Sequence, residues 1–224
     1  MQSKSAIILA AALGLAAITA GAVFAQPLFA SGVVQERGIA DAARQGLTGF
    51  VKQNLAEYGV RLPDGFPLSV ADGRELASLR LGRGFPVYSV NPQRLLAADA
   101  DLSGLMAPTG SWRFVALSGS RPVGLVTVEK VEGRWQAIAF GAAELAKNVE
   151  AAQAGHGGQT RFLRVYQAHS DFLEVAQADG KPRFAALMSA RETLSLKKQP
   201  ALLDGADLIE PLRAAVRANL ASFR

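Results

Sequence analysis

The sequence predicts an α+β fold, with a largely antiparallel sheet built from two three-stranded meanders and helices packed on both faces. Three observations support this prediction. Residues 112–140 carry three strand patterns joined by two tight turns. A looser version of the same pattern follows at residues 161–184. Apolar residues at helical spacing precede, separate and follow the two stretches, so we expect a single domain over residues 36–224.

The first meander is indicated by alternating apolar residues and by turn residues. Its strands are expected at residues 113–117, 123–130 and 134–140. The first turn is expected at residues 118–122, and the second is centred on Gly133. Leu125 and its neighbour Val126 point to opposite faces of their strand, and both are apolar. The sheet is therefore expected to be covered on both sides.

The second stretch repeats the apolar spacing of the first. Residues 161–165, for example, match residues 113–117. Two interpretations stay open. The halves 85–154 and 160–222 are either an internal duplication or two meanders that share only a general pattern.

Helical spacing is clearest at residues 36–58, where apolar side chains recur every three or four positions. Gly46 and Gly49 weaken this helix, but two glycines three apart also let another element pack closely. Asp72 is placed to cap a helix over residues 73–81. Further segments are expected at 142–154 (helix), 190–196 (short helix or edge strand) and after Asp204 or Asp207 (helix, with Pro211 in its first turn).

The N-terminus has the pattern of a secretory signal peptide. Lys4 precedes an uncharged stretch over residues 6–24, and Val23 and Ala25 occupy the −3 and −1 positions of a cleavage site. We therefore expect a signal peptide at residues 1–25, and then a mobile leader at 26–35. The alternative is an uncleaved membrane anchor. The mature chain is expected to be periplasmic or secreted, with membrane contact only through this segment before cleavage.

Composition excludes several classes of function. The chain has no cysteine, which rules out disulfides, thiolate catalysis, sulfur-ligated metals and a lipid on a cysteine at the cleavage site. The formal charge of +5 is spread along the chain, and the only adjacent basic pair is Lys197-Lys198. Because nucleic-acid binding needs clustered positive charge, we expect no nucleic-acid partner.

A set of short motifs resembles an uncharacterised group of exported bacterial proteins. These motifs are Leu81-Gly82-x-x-Phe85-x-Val87-Tyr88, Trp112-x-Phe114, Gly133-x-Trp135 and Gly141-x-x-x-Leu145. The resemblance covers residues 76–175. Its positions are apolar or glycine, so it implies a shared fold, and no activity is assigned to the group.

One loop has half of a calcium-binding pattern. Asp99-x-Asp101-x-Ser103-Gly104 supplies oxygen ligands at positions 1, 3 and 5 and a glycine at position 6. Position 12 requires a glutamate and is Gly110. We therefore interpret the stretch as a solvated polar loop, and no metal site is assigned.

The chain has two histidines, His156 and His169. Their separation is not a metal-ligand spacing, and both fall in predicted loops. His169-Ser170-Asp171 has the residue types of a catalytic triad, but adjacent residues do not generally converge as a triad does. No catalytic residue and no cofactor is assigned.

We expect a non-catalytic exported module that binds an envelope or extracellular protein, a peptide or another envelope component. Residues 82–84 are interpreted as a break and residues 85–90 as a short strand, in which Pro86 favours a sheet edge or a strand start. A partner strand would add at this edge, through Phe85, Val87 and Tyr88. The alternatives are a periplasmic small-molecule sensor or carrier with a cavity between sheet and helices, and an envelope hydrolase that uses a loop histidine.

Overall fold

The computed structural model describes residues 28–97, 101–156, 160–196 and 202–222, with side chains from Glu36 onward. The predicted signal peptide, Asp99, part of the loop after His156 and Lys197-Lys198 lie outside the described residues. The helices are α1 (Leu28–Tyr58), α2 (Gly73–Ala77), α3 (Pro92–Ala97), α4 (Leu102–Leu105), α5 (Ala143–Gly155), α6 (Met188–Thr193) and α7 (Gly205–Ser222). The strands are β1 (Arg80–Val90), β2 (Met106–Ser118), β3 (Arg121–Val131), β4 (Arg134–Gly141), β5 (Thr160–Val165), β6 (Ser170–Val175), β7 (Arg183–Ala186) and β8 (Leu203–Asp204).

The described strands form one eight-stranded sheet in the order β4-β3-β2-β1-β5-β6-β7-β8. Only the central pair β1–β5 is parallel, and the other neighbours are antiparallel. The prediction of an α+β fold with a largely antiparallel sheet is confirmed. The finer prediction of two three-stranded meanders is wrong, because β1 pairs with both β2 and β5 and joins all the strands into a single sheet.

Strand β1 contains the residues that were expected to break the chain. Gly82 and Gly84 lie inside it, where side chains of β2 cross the strand. A Cβ on Gly82 would lie 2.8 Å from the side chain of Leu117, and one on Gly84 would overlap the ring of Phe114. These glycines therefore make room for neighbouring side chains.

Helices cover both faces of the sheet. Phe114 packs against α1 together with other residues of β2–β4, whereas its neighbour Val115 packs with α5. In β5, Phe162 belongs to the α5 core and Leu163 to a core with α3, α4 and α7. Since neighbouring strand residues point to opposite faces, α5 lies on one face, and α1 and α7 lie on the other.

The glycines of α1 behave differently from each other. A Cβ on Gly46 would overlap the Cβ of Ala137 in β4, so the predicted close approach of another element is confirmed there. Nothing lies within 4 Å of the corresponding position on Gly49. Helix α1 also begins at Leu28, inside the range that was expected to be a leader.

Two helix ends were predicted with different success. Asp72 caps α2 as expected, because its Oδ1 accepts the backbone N–H groups of Arg74 and Glu75, each at 2.9 Å. Helix α7 starts directly after Asp204, but Pro211 lies well inside it instead of in its first turn. Among the described helices, none combines the length and apolar content that a bilayer crossing requires.

Candidate functional site

The predicted partner-binding edge is not an edge at its central residues. Residues 87–89 of β1 pair with β5 on one side, and β1 pairs with β2 on the other. Phe85 and Val87 are only 3% and 1% exposed and belong to the α5 core. Tyr88 points to the opposite face and lies under the guanidinium of Arg161, 5.1 Å from it. The prediction that a partner strand adds at Val87 and Tyr88 is therefore wrong, since β5 already occupies that position.

The reason lies in where the proline stands. Pro86 immediately precedes the first residue of β1 that pairs with β5, and a proline is tolerated at such a position. In the described residues, positions 80, 81 and 84–86 pair with β2 alone. Pro86 therefore lies at the end of the part of β1 that has no second strand partner, and double pairing begins at Val87.

The two histidines make separate contacts. His169 has a left-handed backbone conformation with φ of 46°, and its Nε2 lies 2.9 Å from the side-chain amide nitrogen of Asn219 in α7. The neighbouring Ser170 donates its hydroxyl to the carbonyl of Ala168 at 2.8 Å. Asp171 lies on the opposite face of β6. These three adjacent residues are therefore not connected as a triad. His156 follows α5, and its backbone N–H donates to the carbonyl of Gln153.

The half calcium pattern forms a helix start. Asp101 caps α4, and its Oδ2 accepts the N–H of Ser103 at 3.1 Å. Across the described residues, no group of three or more acidic or histidine side chains is arranged to hold a metal ion.

A groove of about 550 Å³ lies between the C-terminal half of α1 and the segment from α2 into β1. Its apolar floor is formed by Leu47, Val51 and Leu55 of α1, facing Leu79 and Leu81. The three α1 residues are four positions apart, so they lie on one face of the helix. We call this the α1 groove. The sequence predicted that these residues are helical but did not show that the sheet covers Leu47 and leaves Val51 and Leu55 partly exposed.

The rim of the α1 groove is positively charged. The lining residues include Arg44, Lys52 and Arg80 and no acidic side chain. Arg80 is held in place by hydrogen bonds from its guanidinium to the carbonyl of Gly119. Arg44 forms an exposed ion pair with Asp41 one turn earlier on α1. An apolar floor under a cationic rim suits a ligand that is both apolar and anionic.

A second polar arrangement lies on the α5 face of the sheet. Arg113 of β2 lies over the ring of Phe162 at 5.4 Å. Arg164 lies two residues after Phe162 on β5, and its guanidinium lies over the ring of Tyr166 at 5.5 Å. Asp171 is the cross-strand neighbour of Arg164 in β6. We call Arg113, Arg164 and Asp171 the charged row.

Burial changes the proton affinity of two members of the charged row. Loss of water lowers the pKa of Arg113, and the positive charge of Arg164 lowers it further. Burial also raises the pKa of Asp171, although the charge of Arg164 and the hydroxyl of Ser189 oppose this shift. Ser189 donates to Asp171 Oδ2 at 3.0 Å. The row was not predicted, because its members come from strands whose neighbourhood the sequence pattern did not reveal.

Comparison of the chain with protein-family models, with curated proteins and with solved structures finds no match.

Proposed function

We propose that the protein is an exported, non-catalytic module that binds an envelope or extracellular protein through the α1 groove. The occupant is a segment of the partner that carries apolar residues flanked by acidic ones. The observation that supports this most directly is the groove itself, with its apolar floor and a rim of three cationic residues without an acid. Export rests on the signal-peptide pattern of residues 1–25.

The shape of the groove favours a peptide segment. Its floor residues Leu47, Val51 and Leu55 extend over nine residues of helix, or about 12 Å at a rise of 1.5 Å per residue. Val51 and Leu55 are partly exposed to solvent in this groove, whereas Leu47 is buried at its end. A segment of a larger partner can leave one side in water, whereas a small-molecule site usually buries most of its ligand.

Charge complementarity defines the partner further. Arg44, Lys52 and Arg80 would attract acidic side chains during approach and fix the register of the bound segment. Such rim contacts are screened by salt. Binding is therefore expected to weaken as ionic strength rises, while the apolar contacts of the floor persist.

A small-molecule carrier is the second candidate. The volume of about 550 Å³ is in the usual range for ligand pockets, and a fatty acid has the same combination of apolar body and anionic end. This alternative uses the same residues, so the experiment must distinguish the two ligands directly.

The test measures binding of designed peptides to the protein by fluorescence anisotropy. One helical peptide carries leucines four residues apart with glutamates between them, and a matched peptide carries lysines in place of the glutamates. We expect the glutamate peptide to bind at least about tenfold more tightly, as expected for a few charge-assisted contacts. Decanoate is the small-molecule probe.

Variants assign the binding to the groove. Val51→Glu places a carboxylate in the floor and is expected to abolish peptide binding. Leu220→Glu changes an exposed leucine of α7 and should leave binding unchanged. Equal binding by the Val51→Glu variant would refute the groove as the site. Saturable binding of decanoate with no binding of either peptide would replace the proposal by the carrier.

A further inference from the structure

The first part of β1 has a neighbouring strand on only one side. Strand β5 pairs with residues 87–89 of β1, whereas residues 80, 81 and 84–86 pair with β2 alone. In the described residues, no backbone hydrogen bond joins residues 80–86 to a segment other than β2. The N–H and C=O groups that point away from β2 therefore form an open edge, and an open edge is a template for another strand.

A cavity of about 350 Å³ lies beside this open edge. Residues 83–86 of β1 form one wall, and Thr160 and Arg161, the first residues of β5, form another. Glu36 of α1 and Gln153 of α5 also line it. Since α1 and α5 cover opposite faces of the sheet, a cavity that touches both lies in the plane of the sheet. We call this cavity the sheet notch.

The register of β1 and β5 shows where an added segment fits. Val87 lies opposite Phe162 in this parallel pair, so counting back places Thr160 opposite Phe85. Strand β5 starts at Thr160. In the part of the chain that the structure describes, the row of β5 is therefore free opposite residues 80–84. This length is about 17 Å at a rise of about 3.4 Å per residue, which five residues of extended chain would fill.

The open edge is irregular, which favours a flexible segment over a folded sheet as its occupant. The register with β2 shifts between Leu81 and Gly84, so residues 82 and 83 form a bulge. A bulge bends the strand and hinders edge-to-edge pairing of two folded sheets. A flexible segment can follow the bend while it adds to the edge. A second copy of this chain is therefore not the occupant that we expect.

Charge defines the segment further. Arg83 is exposed, and it has no ion pair among the described side chains. Arg161 also lines the sheet notch, and its side chain is 41% exposed although its guanidinium pairs with Glu174. Among the described residues that line the notch, Glu36 alone is acidic. Arg80 adds a cation at the other end of the open edge. The edge thus has an excess of positive charge and favours a segment with acidic side chains.

We propose that the open edge of β1 binds an extended, acidic peptide segment of a partner protein, which adds as a strand in line with β5. Backbone hydrogen bonds to residues 80–84 hold the segment, and Arg83 selects its charge. Trp112 of β2 lines the sheet notch beside the end of the segment. The inference does not rest on the function proposed for the α1 groove, because that groove takes a helical segment.

The test measures binding of an eight-residue peptide of alternating valine and glutamate by fluorescence anisotropy. A matched peptide carries N-methyl groups on its four central amides, so it keeps the side chains and loses the donors that strand pairing needs. A second matched peptide has lysine in place of glutamate. We expect each change to weaken binding at least about tenfold. Equal affinity of the first two peptides, or no saturable binding of the first, would overturn the proposal.

Amide hydrogen exchange locates the bound peptide on the chain. The amides of residues 80–84 that point away from β2 should exchange rapidly in the free protein and become protected when the valine–glutamate peptide binds. If these amides were already protected in the free protein, the edge would not be open and the proposal would fail. Protection confined to α1 would assign the peptide to the α1 groove and would equally overturn the proposal.

Two substitutions of the same kind assign the charge preference to the open edge. Arg83→Glu places a carboxylate beside the acidic peptide and should weaken its binding about tenfold or more. Arg217→Glu makes the same charge change on the exposed side of α7 and should bind as the parent does. Arg83→Gln repeats the test with a smaller charge change, in case Arg83→Glu fails to fold. Parent-like affinity in the folded Arg83 variants would refute this site.

Discussion

Glu75 connects the start of α2 to the turn between β2 and β3. Its Oε2 accepts the N–H of Ala71 at 2.7 Å, and its Oε1 pairs with Arg121. Hydrogen bonding to the side chain of Ser118 lowers the pKa of Glu75, and the bond from Ala71 lowers it further. The folded state therefore favours the carboxylate. Glu75 contributes stability above its ordinary pKa of 4.5, and this contribution is lost as the pH falls through the lower folded value.

Asp171 has the opposite sign. Burial raises the pKa of its carboxyl, so the folded protein takes up this proton at a higher pH than the unfolded chain does. The cost of keeping Asp171 ionised is present at neutral pH. It is relieved as the pH falls through the raised folded value.

The two carboxyls therefore predict opposite effects on acid stability. Glu75→Gln should make the free energy of unfolding fall less between pH 7 and pH 3 than it does in the parent. The variant lacks a carboxylate whose stabilising contribution is lost in acid. Asp171→Asn should make the free energy of unfolding fall more over the same range. The variant lacks a carboxyl whose protonation in acid stabilises the folded state. Urea unfolding over this pH range measures both slopes, with the parent protein as the reference. Slopes that change in the same direction in both variants would contradict the prediction.

At the scale of the element, α1 packs closely against β4 because a glycine of α1 has no side chain at the contact. Gly46 of α1 lies directly against Ala137 of β4, while Gly49 on the same helix has free space around it. Helix propensity favours alanine over glycine at both positions by about 1 kcal/mol. Packing decides the sign at Gly46, because the helix would have to move away from the strand.

We predict opposite outcomes for the same substitution at the two glycines. Gly49→Ala should raise the free energy of unfolding by roughly 0.5–1 kcal/mol. Gly46→Ala should lower it by roughly 1–3 kcal/mol, the usual cost of overpacking. Chemical denaturation of the two single variants measures the difference, and Gly49→Ala serves as the control for helix propensity.

A compensating change tests the contact itself. Ala137→Gly removes the methyl group that the new side chain would meet. The double variant Gly46→Ala, Ala137→Gly should recover part of the loss, beyond the sum of the single effects. Strict additivity would mean that the α1–β4 contact is not the cause.

Local signals predicted most elements of the chain but not the position of β1. Strands β2 to β4 follow from alternating apolar residues, and the α2 cap follows from Asp72. Gly82, Gly84 and Pro86 indicated a break and an edge because glycine and proline usually have that role. The rings and side chains that fill the space above these glycines come from β2, and local spacing carries no information about them.

At the scale of the molecule, β1 joins two sets of strands, β2–β4 on one side and β5–β8 on the other. Val87 lies in the pair with β5 and is buried under α5, so it contributes to both sets at once. We predict that Val87→Lys lowers the free energy of unfolding by roughly 3 kcal/mol or more, because it places a charge in an apolar core. Both sets of strands should lose stability together. Tryptophan fluorescence follows Trp112 and Trp135, and amide hydrogen exchange follows β6.

Val60→Lys provides the matched control. Val60 is 54% exposed in the loop after α1, so the same substitution should change stability by no more than about 0.5 kcal/mol. If the Val87→Lys variant lost protection in β6 alone while the tryptophan signal stayed unchanged, β1 would not be a shared element.

The candidate sites were less predictable than the fold. The spacing of Leu47, Val51 and Leu55 predicts that these residues face other elements, and they do, but a groove depends on how closely the next segment approaches. Arg113 lies in a strand that the sequence predicted, and nothing local shows that its Nη1 is buried without a hydrogen-bond partner among the described residues. Both features depend on distances between remote segments.

The parallel pair β1–β5 also has a kinetic consequence. The Ser89 hydroxyl donates to the carbonyl of Arg164, 75 positions later in the chain, whereas the hairpins β2–β3 and β3–β4 are closed by short turns. Joining distant segments pays loop-closure entropy before any contact forms, and non-local pairing slows folding. We expect the hairpins to form first and the β1–β5 pair last. Until it forms, the inner edges of both strand sets are unpaired templates for association with other chains.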